Sequence, residues 1–230
     1  MIARKLVRAL RGATYTGDDA AVVALVRDEH LLDERDALQV VGDGLVVALA
    51  ERAEGASEFA ATCAARLRER GGIGDDVLAD QLDSRPSPAL RPVPVDLGQL
   101  TAVFEDSEGG RFDLQTGEAW PEYTFDPDIS GVEPAEEDED ENRWLYIDGG
   151  SRDGYHDMQD FLRTRVDGEL AERLGRALQG RGAFRRFKDV LADHDRLHEF
   201  HVFSEDRQRG RVRAWLADAG IAVAPRRPAG

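Results

Sequence analysis

The sequence predicts an α+β protein, in which an all-helical N-terminal bundle is followed by a domain with a small antiparallel sheet and four or more helices. Two patterns predict this class. Apolar residues recur every three to four positions through most of residues 1–84, which is typical of amphipathic helices. Short apolar runs bounded by glycines then follow, as expected for about three strands, before helical spacing returns after residue 150.

Proline content marks the boundary between the two regions. We expect a helical domain over residues 1–84, a Pro-rich linker over 85–95 and the α+β domain over 96–224. Pro86, Pro88, Pro92 and Pro94 disfavour helix and favour an extended connector. Residues 225–230 are expected to form a tail.

The first domain is predicted to contain four or five short helices. Gly42 and Gly44 lie inside one apolar stripe, where each would cost a helix about 1 kcal/mol. They mark either a break in that helix or a close approach between two helices. Cys63 lies among alanines at helical spacing, which predicts a packed and inert thiol. A single cysteine excludes an internal disulfide and favours a cytoplasmic location.

Three short strands are predicted in the second domain. Phe112 and Leu114 alternate with polar residues, the Thr116-Gly117 pair turns the chain, and Trp120 follows in a second strand. The apolar run 144–147 would add a third strand to this antiparallel sheet. A short helix over 97–104, or alternatively a strand, precedes the hairpin. Three amphipathic helices and a last helix near Trp215 follow the third strand.

The chain is strongly acidic, and the excess charge is concentrated in its middle third. It carries 46 Asp+Glu against 30 Lys+Arg, for a net charge of −16. Six consecutive carboxylates at 136–141 predict a solvated acidic loop over residues 126–142. The net charge argues against nucleic acid and anionic membranes as partners. No apolar stretch approaches the roughly 20 residues that span a bilayer.

Three histidines are candidate metal ligands. His194, His198 and His201 are spaced four and three apart, which would place them on one side of a helix, as a zinc site requires. No glutamate stands where an H-E-x-x-H motif carries its general base, and the flanking aspartates favour a solvated turn. We therefore expect neither a metal nor a cofactor.

A polar turn opens the helix that follows the third predicted strand. Ser151, Arg152, Asp153 and His156 place a hydroxyl, a cation, a carboxylate and an imidazole within six positions. Helix capping by Ser151 or Asp153 explains this composition, whereas nucleophilic catalysis needs groups that converge from different elements. We assign no catalytic residue. The alternative is a hydrolase or metal-dependent enzyme that uses Asp153, His156 and the histidines of 194–201.

A row of cations is the most promising contact surface. Arg181, Arg185 and Lys188 are spaced four and three apart on the polar side of a helix and could meet phosphate groups. Together with a polar turn they form the predicted binding surface, whose turn residues are Ser151, Arg152, Asp153 and Tyr155. A nucleic-acid-associated protein, using the same cations, is the remaining alternative.

Several motifs in order resemble one uncharacterised family of small, mostly bacterial proteins. They are FDLQTGEAW, SRDGYHDMQDF and GRGAFRRFKDVL, followed by the aromatic patch 200–203 and a last helix. The resemblance covers about residues 96–221 and implies no activity, substrate or cofactor. Where the family pattern carries a Trp-Tyr pair, this chain has Phe200 and His201. We predict a non-catalytic binding or regulatory module that contacts a protein or a phosphate-bearing partner.

Overall fold

The computed structural model of the protein describes residues 2–85, 89–131, 143–150 and 152–224. Helices dominate the first third of the chain and its last third, and short strands lie between them. The elements are α1 (Ile2–Thr16), α2 (Asp19–Asp28), α3 (Leu38–Ala50), α4 (Ala56–Arg70), α5 (Asp75–Leu82), β1 (Arg91–Pro94), α6 (Leu97–Glu105), β2 (Gly110–Asp113), β3 (Ala119–Pro121), α7 (Pro127–Ser130), β4 (Trp144–Ile147), α8 (Arg152–Arg165), α9 (Gly168–Ala177), α10 (Ala183–Asp193), α11 (Leu197–Asp218) and β5 (Ile221–Ala224).

The N-terminal helices α1 to α5 pack around one apolar core, as predicted. The Asp18 carboxylate begins α2 by accepting a hydrogen bond from the Ala21 amide at 3.0 Å. Gly42 lies within the uninterrupted helix α3, and a Cβ atom there would lie 2.6 Å from Leu78 Cδ2 on α5. The glycine therefore marks a close approach between two helices and not a break. Cys63 is fully buried, and burial raises the pKa of its thiol to about 12.

The predicted three-stranded sheet is confirmed, with strand order β3-β2-β4 and antiparallel pairing throughout. Phe112 on the central strand pairs with Ala119 on β3 and with Leu145 on β4. These three side chains face one side of the sheet, where Phe112 is fully buried in a core shared with α6 and α11. The α+β class follows from this sheet and the surrounding helices.

The predicted linker contains a strand that the sequence did not indicate. Arg91 to Pro94 pair in parallel with β5, so that Arg91 lies opposite Ile221. The Arg91 amide donates to Gly220 O at 2.8 Å. Extended backbone agrees with the proline pattern, but the pairing partner lies about 130 positions further along the chain. The division of the chain into two domains stays a prediction.

The acidic loop and the tail lie largely outside the described residues, which omit 132–142 and 225–230. The described start of the predicted loop is helical and not irregular. Asp126 accepts a hydrogen bond from the Asp128 amide at 2.9 Å and so begins the single turn α7. Gly131 ends this turn in the left-handed conformation, with φ of +68°.

Helix α11 is the element to which most of the molecule is attached. It contacts α1, α3 and α5 of the N-terminal bundle, and also α6, α8, α10 and β5. Its buried residues lie on all sides of the helix, unlike the single stripe of a surface helix. They are Phe200, Phe203, Ser204, Asp206, Gly210, Val212, Arg213 and Leu216.

Aromatic side chains anchor the start of α11 against α8 and α10. The Phe161 ring on α8 meets Phe200 and Phe203 edge to face, with centroid separations of 5.4 Å in each case. Phe187 on α10 meets Phe200 at 5.2 Å. Such pairs add about 0.5–1.5 kcal/mol each beyond the area that they bury. The helices predicted from residues 152–191 are thus confirmed, together with their apolar stripes.

The middle of α11 touches the bundle backbone to backbone. A Cβ atom on Gly210 would lie 2.2 Å from Ile73 O, and one on Gly74 would lie 2.0 Å from Gly210 O. Gly74 also has a φ of +75°, which side chains rarely adopt. Only glycine therefore permits this approach of α11 to the turn before α5.

We expect Gly210→Ala to lower the free energy of unfolding by about 1–3 kcal/mol, because the new methyl group collides with the Ile73 carbonyl. The matched control is Gly12→Ala in α1, where a Cβ atom meets nothing within 4 Å. That substitution should raise the free energy of unfolding by up to about 1 kcal/mol, as alanine does in an open helix. Urea unfolding of both variants tests this, and a stabilised Gly210→Ala protein would contradict the backbone contact.

Candidate ligand-binding cleft

A cleft of about 1120 Å³ lies between the helical bundle and the α+β region, and we call it the central cleft. Helices α1 and α3 form one wall, α6 and β5 form the other, and α11 forms the floor. Each wall contributes apolar surface. Val46 and Val47 come from α3, Leu97 and Ala102 from α6, and Val223 from β5. Pockets that bind cofactors or drug-sized molecules typically have about 300–1,000 Å³, so this volume suits a sizeable ligand.

The floor of the central cleft concentrates positive charge. Arg209 donates to Asp43 Oδ2 at 2.6 Å and to Glu205 Oε1 at 3.2 Å. Arg11 on α1 also pairs with Glu205, and Arg213 also pairs with Asp43. Three guanidinium groups therefore share two carboxylates in these contacts, which leaves an excess of one positive charge within the cluster.

The pKa of Arg11 reflects its burial and, to a smaller extent, this crowding of charges. Burial, and secondarily the neighbouring charge of Arg209, lower the pKa of Arg11 to about 10, although Asp43 opposes the shift. Lys188, on α10, adds a further cation to the lining and has no ion-pair partner among the residues that the structure describes. An anion bound between these groups would relieve their mutual repulsion.

The opposite wall carries the compensating negative charge. Asp96 and Glu105 line the cleft at the two ends of α6. Asp96 is committed to the helix, since its carboxylate accepts from the Gly98 and Gln99 amides at 2.9 Å and 3.0 Å. Four acidic and four basic side chains line the cleft in all, so it is bipolar and not uniformly positive.

Arg213 holds α11, the floor of the central cleft, against the N-terminal bundle. It is 1% exposed, and it donates to Gln39 Oε1 and to Gln81 Oε1, each at 3.1 Å. Burial lowers the pKa of this guanidinium, while Asp43 opposes the shift. Because every partner of Arg213 comes from the N-terminal bundle, the cluster forms only when α11 is docked.

A second buried network lies further along the same interface. Asp206 on α11 accepts from the Gln39 amide at 2.6 Å and from Arg70 Nη1 at 2.5 Å. Arg70 also binds the buried Asp75 carboxylate through two hydrogen bonds of 2.6 Å and 2.8 Å. Burial alone would raise the pKa of Asp75, but Arg70 and Gln39 hold it below its ordinary value. Burial raises the pKa of Asp206 to about 6 in spite of Arg70.

A smaller cavity of about 510 Å³ lies beside this network and is rich in arginine. Four of its arginines are already held by carboxylates: Arg70 by Asp75 and Asp206, Arg165 by Asp36, Arg207 by Asp157 and Asp160, and Arg211 by Asp157. Asp157 is fully buried and ties α8 to α11. These contacts hold neighbouring helices together, and each of the four guanidinium groups already has a carboxylate partner, so the smaller cavity is not a promising anion site.

The structure does not gather the predicted binding surface into a pocket. Ser151 lies outside the described residues. Arg152 and Asp153 are exposed on α8, and Asp153 lies 3.5 Å from Arg211. The Tyr155 hydroxyl donates to Leu178 O at 3.3 Å, so this residue serves the packing of α8 on α9.

The predicted cationic row is exposed, and one of its members reaches the cleft. Arg181 and Arg185 lie on the surface, where Arg185 approaches Asp189 at 3.7 Å with both side chains largely exposed. Lys188 alone of the three lines the central cleft. A role of the row in binding stays a prediction.

The three histidines considered as zinc ligands do not lie on one face of a single helix. His194 ends α10, and its ring contacts Arg173 Nη1 at 3.2 Å and Val190 O at 2.9 Å. His198 and His201 lie on α11, beyond the break between the two helices. Within the described residues, no three His, Cys, Asp or Glu side chains form a group that could hold a metal ion.

Few local patterns in the sequence indicated the residues of the central cleft. Arg11 meets Glu205 across 194 positions, and Arg213 meets Asp43 across 170. The one local signal was the four-residue spacing of Glu205 and Arg209 on one helix. That spacing occurs on many surface helices, so it did not distinguish a cleft from ordinary solvent exposure.

Asp206 should give the protein a distinctive pH dependence. Because its pKa is raised in the folded state, the fold binds this proton more tightly than the unfolded chain does. Its contribution to the free energy of unfolding is therefore highest below about pH 4 and falls by roughly 2–3 kcal/mol as pH rises to about 6. Urea unfolding between pH 4 and 7 should show a flatter profile for Asp206→Asn than for the wild type. Asp218→Asn, at the exposed end of α11, should keep the wild-type profile, and identical slopes in all three proteins would contradict the assignment.

The comparisons with known proteins concern the C-terminal part of the chain. No helix in the described ranges combines the length and the apolar character of a membrane span. No curated protein and no solved structure matches the chain. Residues 125–227 match the Uncharacterised protein family (UPF0158), which confirms the resemblance to an uncharacterised family over that segment. The matched segment includes α11, which forms the floor of the central cleft.

Proposed function

We propose that the protein is a non-catalytic binding module that acts in the cytoplasm and holds an amphipathic anion in the central cleft. The observation that carries this proposal is the cluster on the floor, where Arg11, Arg209 and Arg213 share two carboxylates beside apolar walls. The anionic group of the ligand would be a phosphate or a carboxylate. The sequence suggested a phosphate-bearing partner at the exposed cationic row, whereas here the anionic group would bind inside the central cleft.

The arrangement supports one orientation of such a ligand. Its anionic group would lie near Arg11 and Lys188, where hydrogen bonds to a charged group contribute about 1.5–3 kcal/mol each. Its apolar body would lie against Val47 and Ala102 on the two walls. A polyanion such as nucleic acid fits less well, because Glu105 and the other carboxylates of the lining would repel it.

The polar groups of the floor support binding over hydrolysis. Ser204 is buried and directs its hydroxyl away from the cleft, since it donates to Asp157 Oδ2 at 3.1 Å. Of the groups named for the enzyme alternative, His201 lines the central cleft, whereas Asp153 and His156 are exposed on α8 and do not line it. Guanidinium groups hold anions at neutral pH but do not exchange protons there.

The test uses 1-anilino-8-naphthalenesulfonate, a fluorescent aromatic anion, as the probe. We expect Ala102→Trp, which fills the cleft from an exposed position on α6, to abolish saturable binding of this probe. The matched control is Ala61→Trp on the exposed side of α4, which lines neither cavity and should bind as the wild type does. Fluorescence titration measures the affinity of each protein.

Charge removal tests the polar half of the proposal. Arg11→Gln and Lys188→Gln should each weaken binding of the probe by roughly 10-fold or more through the loss of a charged hydrogen-bond donor. Arg185→Gln, on the same helix as Lys188 but outside the cleft, should have no effect. Competition by an alkyl phosphate and by an alkyl carboxylate of equal length then tells the two head groups apart. Equal affinity in Ala102→Trp and the wild type would overturn the proposal.

A further inference from the structure

One face of the three-stranded sheet exposes aromatic side chains in a single row. Arg111 on the central strand pairs with Trp120 on β3 and with Tyr146 on β4, so these three side chains lie side by side on the outer face. Trp120 is 37% exposed and Tyr146 is 58% exposed. Tyr123, which follows β3 directly, is 45% exposed. We call Trp120, Tyr123 and Tyr146 the aromatic face.

The outer face buries only part of its aromatic residues: Trp144 is 5% exposed and meets the Phe125 ring at 5.2 Å, whereas the three residues of the aromatic face remain exposed. The inner side of the sheet already packs on the core through Phe112, Ala119 and Ile147. An antiparallel sheet with one solvated face usually carries polar residues there. Exposed aromatic rings that are held on a rigid sheet are instead typical of contact surfaces, because they offer large apolar area at a low entropic cost.

Arg111 does not make this face a site for anions. Its guanidinium donates to the two carboxylate oxygens of Glu122 at 2.6 Å and 3.1 Å. It also stacks over the Phe125 ring at 4.1 Å and lies 5.5 Å from the Tyr146 ring. The positive charge is thus neutralised, and its role is to hold the neighbouring rings in position.

The charge around the aromatic face selects the partner. Asp126 and Asp128, which follow Tyr123 along the chain, are exposed, and Glu118 on the hairpin is half-buried. The arginine on β2 and the arginine before β4 are both paired with carboxylates, Arg111 with Glu122 and Arg143 with Asp113. Asp148, two positions after Tyr146, is exposed beside the row. Nucleic acid would be repelled, and so would a second copy of a chain whose net charge is −16. A cationic partner would form ion pairs with these carboxylates and cation–π contacts with the rings, and both contacts would stabilise the complex.

We propose that the aromatic face binds a Lys/Arg-bearing segment of a partner protein. The basic side chains lie over Trp120, Tyr123 and Tyr146, and the surrounding carboxylates pair with their charges. This surface is separate from the central cleft, since none of the three aromatic residues lines it. The inference therefore does not depend on the ligand proposed for the cleft.

The test begins with a random peptide library displayed on phage, selected against the immobilised full-length protein. The wild type should enrich peptides with a high content of Lys and Arg, and the variant Trp120→Ala/Tyr146→Ala should not. Tyr146 is 58% exposed and Trp120 is 37% exposed, so the circular dichroism spectrum and the melting temperature of the variant are compared with those of the wild type, and they should agree within a few degrees.

The most enriched peptide, labelled with fluorescein, then gives affinities by fluorescence anisotropy. The double variant should bind it at least about tenfold more weakly, which corresponds to the loss of two cation–π contacts. The matched control is Ile73→Ala, which truncates an apolar side chain that is 64% exposed on another face, and it should leave the affinity unchanged. Binding should also weaken as the salt concentration rises.

Four results of the binding experiments would overturn the inference. They are no enrichment, enrichment without a bias toward basic residues, equal enrichment on the wild type and the double variant, and binding of a labelled oligonucleotide that depends on Trp120 and Tyr146. Self-association that the double variant abolishes would identify a second copy as the partner and would also overturn it. Analytical ultracentrifugation measures that case.

Discussion

The structure depends on a helix that is buried on every side and still carries charge. Asp206 and Arg213 lie on α11 with almost no exposure, and each finds its counter-charge on the N-terminal bundle. Removing one partner of such a pair typically costs about 3–5 kcal/mol, because it leaves an uncompensated buried charge. We infer that these pairs specify the position of α11 against the bundle, since desolvation offsets much of their attraction. The backbone contact at Gly210 sets how near the helix can come.

The central cleft is a consequence of that docking. Arg209 and Arg213 are four positions apart on one side of α11, so docking the helix places both at the same Asp43 carboxylate. The parallel pair of β1 and β5 returns the chain beside the same helix and completes one wall of the cleft. Cleft and interface therefore share residues, and a change at the interface alters the shape and charge of the cleft together.

The two proposed surfaces differ in their electrostatics although they belong to one acidic chain. The cleft floor crowds guanidinium groups, whereas the region around the outer face of the sheet is acidic and its single described arginine between residues 96 and 131 is neutralised by Glu122. A net charge of −16 describes neither surface. Only the distribution of charge decides which ligand each surface can take, because ions interact strongly over a few ångströms and are screened beyond about 10 Å.

The sequence by itself determined the elements whose cause is local. Apolar spacing indicated the helices, alternation and the Thr116-Gly117 turn indicated the hairpin, and the run at 144–147 indicated the third strand of the sheet. These signals are local because side-chain periodicity follows directly from backbone geometry. The sequence left open whether Gly42 broke a helix and whether the three histidines shared one helix face or lay around a turn. The tertiary structure alone decided the pairing of β1 with β5, the burial of α11 and the meeting of Arg11 with Glu205. Those contacts join residues more than 100 positions apart, and no local pattern records which distant side chain will neutralise a buried charge.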